Sequence, residues 1–561
     1  MTHIASRATS FPPWVACAII ALVVPLAALW FLWPSPLEFP MDDTYIHLVY
    51  AQNLAEQGKL MFNTADEKGV GSTSLLWVLL LAGGHAAGLS MHVLAKTLGI
   101  ASLLTVGIGL YLLLSPLWRP LPTLLGVLLV VLSGHMIWFA LSGMETMLFL
   151  ALGALALLLY QKGRWGWLGF VLGLLTLTRP EGAVLAITIA LVETWRHKEI
   201  RRGIVVAGLM CLLTCGPWFA YLLWRTGRVI PTSGVGKQFS MALALRLAAE
   251  RTPALAWIGR FPAVTYPVLW LVYLLEFVLG GMALPPPRIS AGTILGNEDY
   301  TLSVWAIVGI AGVVAPLLWA ALKRMIHLCR RPNWLRAERR RAGVALLAWT
   351  VLHNACYMAF LPAPGTASRY GALNHIVLWL ALAVGLESSI RRHRLWPWLA
   401  IGLGIIAVAN TVYWNGVYDA NLDHMQNARI AAAHFLRQEL APDSLCAAYD
   451  VGAIRYHSQR PIVDLGGLLE PDASRYFLEN RVDQYLVERG VTCVVLPSRA
   501  GATDEGWFDL AEILGLSNSS LIEMHQVAVF EIDRARWLQG YLPTANYQAA
   551  VTIYRLDLPP D

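Results

Sequence analysis

"PWVACAIIALVVPLAALWFLWPSPLEFPMDDTYIHLVYAQNLAEQG" (Pro13–Gly58) decides how the rest of the chain is read. It opens with a charge-free apolar run of roughly 20 residues, the length that crosses the hydrocarbon core of a bilayer. The run is too long for the core of a signal peptide, and no small-residue cleavage site follows. It is therefore expected to be a retained first span. Directly after it stand two adjacent carboxylates, Asp42 and Asp43, followed by an amphipathic segment that stops at Gly58. A chain that leaves the bilayer on a pair of acids has put charge at a lipid boundary, where charge is costly.

Working outward, the composition agrees with a membrane protein. The 561 residues are 57% hydrophobic and 14% charged, with a mean hydropathy of +0.55, whereas soluble domains carry about 25% charged residues. Apolar segments continue to Tyr413, broken by short polar turns. The basic turns hold Arg119, Lys162 with Arg164, "RHKEIRR" (Arg196–Arg202), Lys323–Arg341 and "RRHR" (Arg391–Arg394). Placing all of these on the cytoplasmic side satisfies the positive-inside rule. About eleven spans then result, with the amino terminus inside and two large outer loops, 34–98 and 225–300. Ser72–Leu89 and Thr265–Met282 are apolar enough to cross, yet this threading makes them dip or lie at the outer interface. The alternative makes Ser72–Leu89 a crossing and puts Arg119 and Lys162 outside. No internal repeat is evident, which counts against an inverted-repeat transporter.

The character changes after Tyr413. Charge rises, and apolar runs shorten to strand length in "LCAAYDVGAI", "RPIVDLGG", "TCVVLP", "VAVFEI" and "VTIYRL". Helical patterns lie between them. The expected architecture is a polytopic α-helical membrane core, residues 1–413, followed by a soluble α/β domain, residues 414–561, on the outer face. Cys446 and Cys493 of that domain would bridge in an oxidising compartment if they lie close enough, which sequence leaves open. Cys211 and Cys215 read as small residues of an apolar span.

Several polar residues gather at the predicted outer rim. Neighbouring acids at a partly desolvated rim raise each other's pKa, which suits a general base or a cation ligand. A helix amino-terminal cap accounts for one of Asp42 and Asp43 but not for both. Glu145 in "SGMET" is a third acid at similar depth. Arg179 in "LTRPEG" lies at a span boundary, as an anion ligand or as a turn-pinning partner of Glu181. Arg228 and Lys237 in "RTGRVIPTSGVGKQ", and Arg369 with Tyr370 in "GTASRYG", supply further cations and an aromatic ring. Acids that activate a nucleophile and cations that hold a phosphate are the parts of group transfer from a phosphorylated donor. Tyr45, Glu181, Asp450 and Asp464 are candidates to support or line an acceptor cleft, although acids flanked by glycine are often turn residues.

These segments resemble C-type (GT-C) membrane glycosyltransferases. "MDDTYIHLVYAQNLAEQGKLMFNTADEKGVGSTSLLW" (Met41–Trp77) is similar to that family's first outer loop, particularly in the subgroup of terminal arabinofuranosyltransferases. Protein O-mannosyltransferases and lipid A aminoarabinose transferases are more distant relatives. "LSGMETMLF", "LTRPEG", "WRTGRVIPTSGVGKQ" and "DVGAIRYHSQRPIVDLGGLLEP" look like further family segments, in the same order. The resemblance implies a polyprenyl-phosphate sugar donor, an envelope glycan, lipid or protein as acceptor, and transfer on the periplasmic or extracellular face of a bacterial inner membrane. It puts the catalytic base at Asp42 with Asp43 beside it, the second acid at Glu145 and a cation at Arg179. Relatives differ in metal use, so a divalent metal stays open. His47 and Leu48 depart from the family's usual Phe-Arg pair, and "GVGSTSLLW" departs from "EGYTSPLW". The other classes to weigh are a flippase or transporter of a lipid-linked sugar and an envelope scaffold; nothing points to nucleic acid.

Overall fold

A computed structural model describes residues 12–63, 70–229, 231–234, 262–281, 304–330, 337–361, 365–390, 394–498, 510–532 and 550–558. Lys237, most of the loop 225–300 and the end of the span Thr265–Met282 lie outside them. The chain starts with α1 (Pro13–Leu32), α2 (Asp43–Gln57), α3 (Leu75–Ala86), α4 (Met91–Leu114) and α5 (Pro120–Val131). Next come α6 (Gly134–Leu141), α7 (Thr146–Gln161), α8 (Trp165–Thr178), α9 (Gly182–His197) and α10 (Arg202–Thr226). Further on are α11 (Pro262–Gly281), α12 (Val304–Cys329), α13 (Arg341–Phe360) and α14 (Ala372–Ile390). A 44-residue helix, α15 (Trp396–Glu439), closes the series and loosens into a π turn over Met425–Ile430.

Among the described residues seven helices are long and apolar enough to cross a membrane, or eight if the bent pair α5–α6, angled at 55°, counts as one span. That is fewer than the expected eleven. The difference lies in α7, α8 and α9, which have 16, 14 and 16 residues. At about 1.5 Å per residue they fall short of the roughly 30 Å hydrocarbon core. Helix α3 is likewise short, at 12 residues. The centre of the bundle is packed by Trp138, Trp349 and Trp379 together with leucines and valines of α4 to α8.

The boundary expected at Tyr413 falls inside α15. Polarity does rise there, but no proline interrupts the chain between Pro397 and Pro442, so the helix runs on from the bundle into the next layer. Beyond it lies a five-stranded sheet of β1 (Cys446–Ala448), β2 (Ile462–Asp464), β3 (Cys493–Ser498), β4 (Glu523–Glu531) and β5 (Ala550–Asp557). The strand order is β2-β1-β3-β5-β4, with β1 parallel to β2 and β3, and β5 antiparallel to both its neighbours. Cys446 and Cys493 are register partners on β1 and β3 and form a disulfide. All five strand-length runs therefore contain strands, but "LCAAYDVGAI" is strand only to Ala448. Its remainder begins α16 (Val451–Ser458), for a reason that lies in the first outer loop.

Candidate functional site

The two acids at the start of α2 face different ways. Neither caps α2: its N-cap residue, Asp42, makes no side-chain bond to it. Asp42 is buried, and its two carboxylate oxygens accept the backbone N–H groups of Gly452 and Ala453, each at 2.8 Å. These are free donors at the amino terminus of α16, where the helix dipole favours a negative group. Gly452 is needed there, because a Cβ would collide with the Asp42 backbone. Asp42 thus joins the first loop to the α/β layer and starts α16 on residues that read as strand.

Burial pushes the Asp42 carboxyl up to about 7 from an ordinary 3.8, the Asp450 carboxylate adds to this, and Arg429 and the two N–H groups oppose it. Asp450 is itself ion-paired with Arg429, whose guanidinium also meets Nδ1 of His424 at 2.8 Å. Asp464 is fully buried and accepts the N–H groups of Gly466 at 2.7 Å and Leu469 at 2.6 Å; it shapes a turn. Tyr45 donates its hydroxyl to Glu38 at 2.6 Å and packs against His92, Tyr456 and His457. Asp42, Asp450, Asp464 and Tyr45 are therefore junction and turn residues, and none of them lines the cavity described next. The sequence expectation puts Asp42 at the base and the other three in support of an acceptor cleft; in the structure they lie at the junction and the turn.

The cavity is lined by Asp43, Ile46 and His47 of α2, by Gly71 and Thr73, by Met144 and Glu145, and by Arg179, Ser233, Arg369, Tyr370 and Leu468. Asp43, Ile46 and His47 stand at i, i+3 and i+4, one face of a helix. Asp43 is ion-paired with Arg369, whose other terminal nitrogen lies 3.7 Å from Met41 Sδ. His47 bonds Ser72 Oγ through Nδ1 at 3.0 Å and faces Glu145 through Nε2 at 3.5 Å. Glu145 then meets Arg179 Nε at 3.3 Å, and the same nitrogen meets Glu181 at 3.1 Å. Glu181 accepts the Tyr357 hydroxyl at 2.7 Å, so it holds Arg179 from behind the cavity lining.

The turn Ser142–Glu145 comes this close to α2 because Gly143 has a φ of 75° and no side chain. A Cβ there would strike Phe39 and Thr44. Thr44 Oγ1 donates to Ser142 O at 2.7 Å and Trp77 Nε1 to Gly143 O at 2.9 Å, which fixes the turn. Tyr370 completes the cationic side: the Arg179 and Arg369 guanidinium carbons lie 4.6 and 5.2 Å from its ring centre. Its ring stacks on Tyr357 at 5.5 Å, which stacks on Trp270 at 4.8 Å.

Five of the expected site residues, Asp43, Glu145, Arg179, Arg369 and Tyr370, thus meet at one cavity. Arg228 is exposed, is not among the lining residues and uses its backbone on Thr226. Ser233 was not singled out, although its hydroxyl is buried at the cavity with no hydrogen-bond partner among the described residues. His47 was noted only as a departure from the family pattern. Its helical phase with Asp43 is the signal that places it.

The donor set does not suit a metal. The cavity carboxylates already face guanidinium groups, and among the described residues no group of three or more His, Cys, Asp or Glu side chains is arranged to hold an ion.

A family described as a domain of unknown function (DUF8728) matches residues 420–554. No curated protein matches the chain in sequence. In structure it resembles ArnT from Cupriavidus metallidurans bound to undecaprenyl phosphate, with a TM-score of 0.51 and 13% identity over 97% of this chain and 98% of that one. It also resembles the oligosaccharyltransferase of Archaeoglobus fulgidus in its apo form, with a TM-score of 0.53 and 13% identity over 87% of this chain and 70% of that one. The mycobacterial arabinofuranosyltransferase AftD superposes less well, at a TM-score of 0.46 and 14% identity over 96% of this chain and 40% of that one. The fold is a GT-C-like polytopic membrane core carrying a carboxy-terminal α/β layer.

Proposed function

We propose that the protein is a glycosyltransferase of a bacterial inner membrane. It moves a sugar, a pentose such as arabinofuranose or a hexose, from a polyprenyl-phosphate donor to a hydroxyl of an envelope glycan, lipid or protein on the periplasmic face. The observation that carries this reading is the cavity itself. Asp43, Glu145, Arg179 and Arg369 come from segments far apart along the chain and converge on one space. The undecaprenyl phosphate and dolichol phosphate bound to the similar structures support a donor of that chemistry.

In this mechanism the acceptor hydroxyl gives its proton to Asp43 as its oxygen bonds to the anomeric carbon. The bond from that carbon to the phosphate oxygen breaks, and the polyprenyl phosphate leaves with the electron pair. Arg179 and Arg369, both close to the Tyr370 ring, balance its charge. Glu145 keeps Arg179 and His47 in place, and the single displacement inverts the anomeric centre. The base moves from Asp42 to Asp43 because the Asp42 carboxylate is spent on α16. Lys237 and Arg228 remain candidates to approach the phosphate as the donor enters.

The test is transfer by purified protein in detergent, with labelled polyprenyl-phosphate sugars and a panel of hydroxyl acceptors. Detergent abolishes any gradient, so product formation speaks for an enzyme. Donor binding without product would favour a flippase, and no binding at all would favour a scaffold.

A further inference from the structure

Arg369 and Tyr370 are carried by a short turn, Thr366–Gly371, that has no regular helical backbone at its centre. Ala367 and Ser368 have φ of 56° and 54°, the left-handed region that side chains with a Cβ avoid. Such a turn persists only if its surroundings hold it. The Ser368 N–H bonds Gly365 O at 2.9 Å, and two buried histidines hold the two ends. His135 of α6 meets Ala367 O through Nε2 at 2.7 Å, and His353 of α13 meets Tyr370 O through Nε2 at 2.9 Å. A carbonyl only accepts, so each ring carries its hydrogen on Nε2. Both rings are themselves fixed. His135 stacks on Trp414 of α15 at 3.8 Å with a 10° tilt, and His353 packs edge-on to Tyr357 at 5.0 Å.

We infer that His135 and His353 form a clamp that holds the Ala367–Tyr370 turn in its left-handed conformation and so positions Arg369 and Tyr370 for the donor phosphate. Neither histidine lines the cavity; both are positioning residues. The inference rests on the donor reading above for what Arg369 and Tyr370 hold, but not for the clamp itself. It gives α6, α13 and α15 a shared task, because a shift of any one of them moves a contact on the arginine-bearing turn.

Two measurements on the full-length protein in detergent separate the clamp from the donor. The first is hydrogen–deuterium exchange over Gly365–Gly371. His135→Phe keeps a ring against Trp414 but lacks the N–H, and His353→Phe does the same beside Tyr357. Each should speed exchange at the Ser368 amide while exchange in α4 and α7 stays as in wild type, and His353→Gln, which keeps an N–H donor, should restore protection. The second is the Kd for undecaprenyl phosphate. Each Phe variant should raise it by about 5- to 10-fold, with no further loss when combined with Arg369→Gln, because the histidines act through that residue.

Unchanged exchange over the turn in both Phe variants overturns the clamp. Faster exchange with an unaltered Kd, or a full additional loss in the Arg369→Gln background, overturns its positioning role. Wild-type protein that binds no polyprenyl phosphate sinks the donor reading, and the exchange data then decide the clamp alone.

Discussion

Helix α9 has buried charge at both of its ends, about 24 Å apart at 1.5 Å per residue. Just before its start stand Arg179 and Glu181. Toward its finish Glu193 is fully buried and takes the Tyr160 hydroxyl at 2.6 Å, His197 at 3.3 Å, Arg201 at 3.5 Å and Arg196 at 3.7 Å. Glu338 joins from the segment before α13, 3.2 Å from Arg196 and 3.1 Å from Arg341. At that end the partners come mostly from α9 and the residues directly after it, and they close on one another. At the near end they come from α2, the Ser142–Glu145 turn and the segment before α14, and they surround a space. Buried charge alone therefore marks both a structural knot and a candidate site. The charges pair at both ends; what separates them is that the near-end pairs line a cavity.

The comparison breaks most sharply at Asp43. Asp43→Asn keeps the size of the side chain and removes the proton acceptor, so transfer should fall by about 10²- to 10⁴-fold, the usual worth of a general base. Thermal stability should fall as well, because the buried Arg369 loses its carboxylate partner, so variant and wild type are compared at a temperature where both stay folded. Initial rates in the detergent assay decide it. An active Asp43→Asn beside an inactive Asp42→Asn would return the base to Asp42 and make the cavity incidental.

At the other end of α9 the expected damage is to stability. Glu193→Gln leaves Arg196 and Arg201 without their buried carboxylate. It should cost on the order of 3 kcal/mol, as breaking a buried pair does. Thermal unfolding reads that loss, and the donor KM of the surviving enzyme should be unchanged. A KM that rises as it would for a cavity variant would erase the distinction between the two ends.

Much of the near end was legible in the sequence because charge at a span boundary is costly and stands out. Asp43, Glu145, Arg179 and Arg369 are such residues, each beside an apolar run. The choice between Asp42 and Asp43 was not legible. Adjacent helical residues point about 100° apart, and only the docking of α16, some 400 positions later, fixes which direction is already occupied. The same contact hid the helix in "DVGAIRYHS", whose free N–H groups are satisfied from outside the local sequence. The continuity of α15 was overlooked for another reason: polarity changes at Tyr413, but the backbone has no breaker there. His135 gave no signal, since a buried histidine bonded to a carbonyl looks the same in sequence wherever that carbonyl lies.

The junction made by Asp42 offers a pH test. Its native pKa of about 7 exceeds the ordinary 3.8, so between those values the folded protein keeps a proton that the unfolded chain has lost. Its contribution to stability is fully present below the lower value and is lost as pH rises to the upper one. The melting temperature of wild type should therefore carry a falling component across that window, and Asp42→Asn, which cannot ionise, should flatten it. An identical slope in the variant would mean that Asp42 does not titrate there.

The smallest expected effect is at Ser233, and its sign is what makes it useful. Ser233 is 5% exposed, and its hydroxyl is buried at the cavity with no hydrogen-bond partner among the described residues, a state that costs about 1–3 kcal/mol when nothing relieves it. A residue kept only for packing would gain from losing the oxygen. One kept for a ligand would gain in the empty protein and lose in the complex. Ser233→Ala should therefore leave the ligand-free melting temperature equal or higher while weakening donor or acceptor binding by about 2- to 10-fold. At the far end of α9 the expectation is the reverse: Glu193→Gln should weaken the empty protein and leave binding alone. If Ser233→Ala instead destabilises the empty protein with no effect on binding, Ser233 belongs with Glu193, and that side of the cavity is structural.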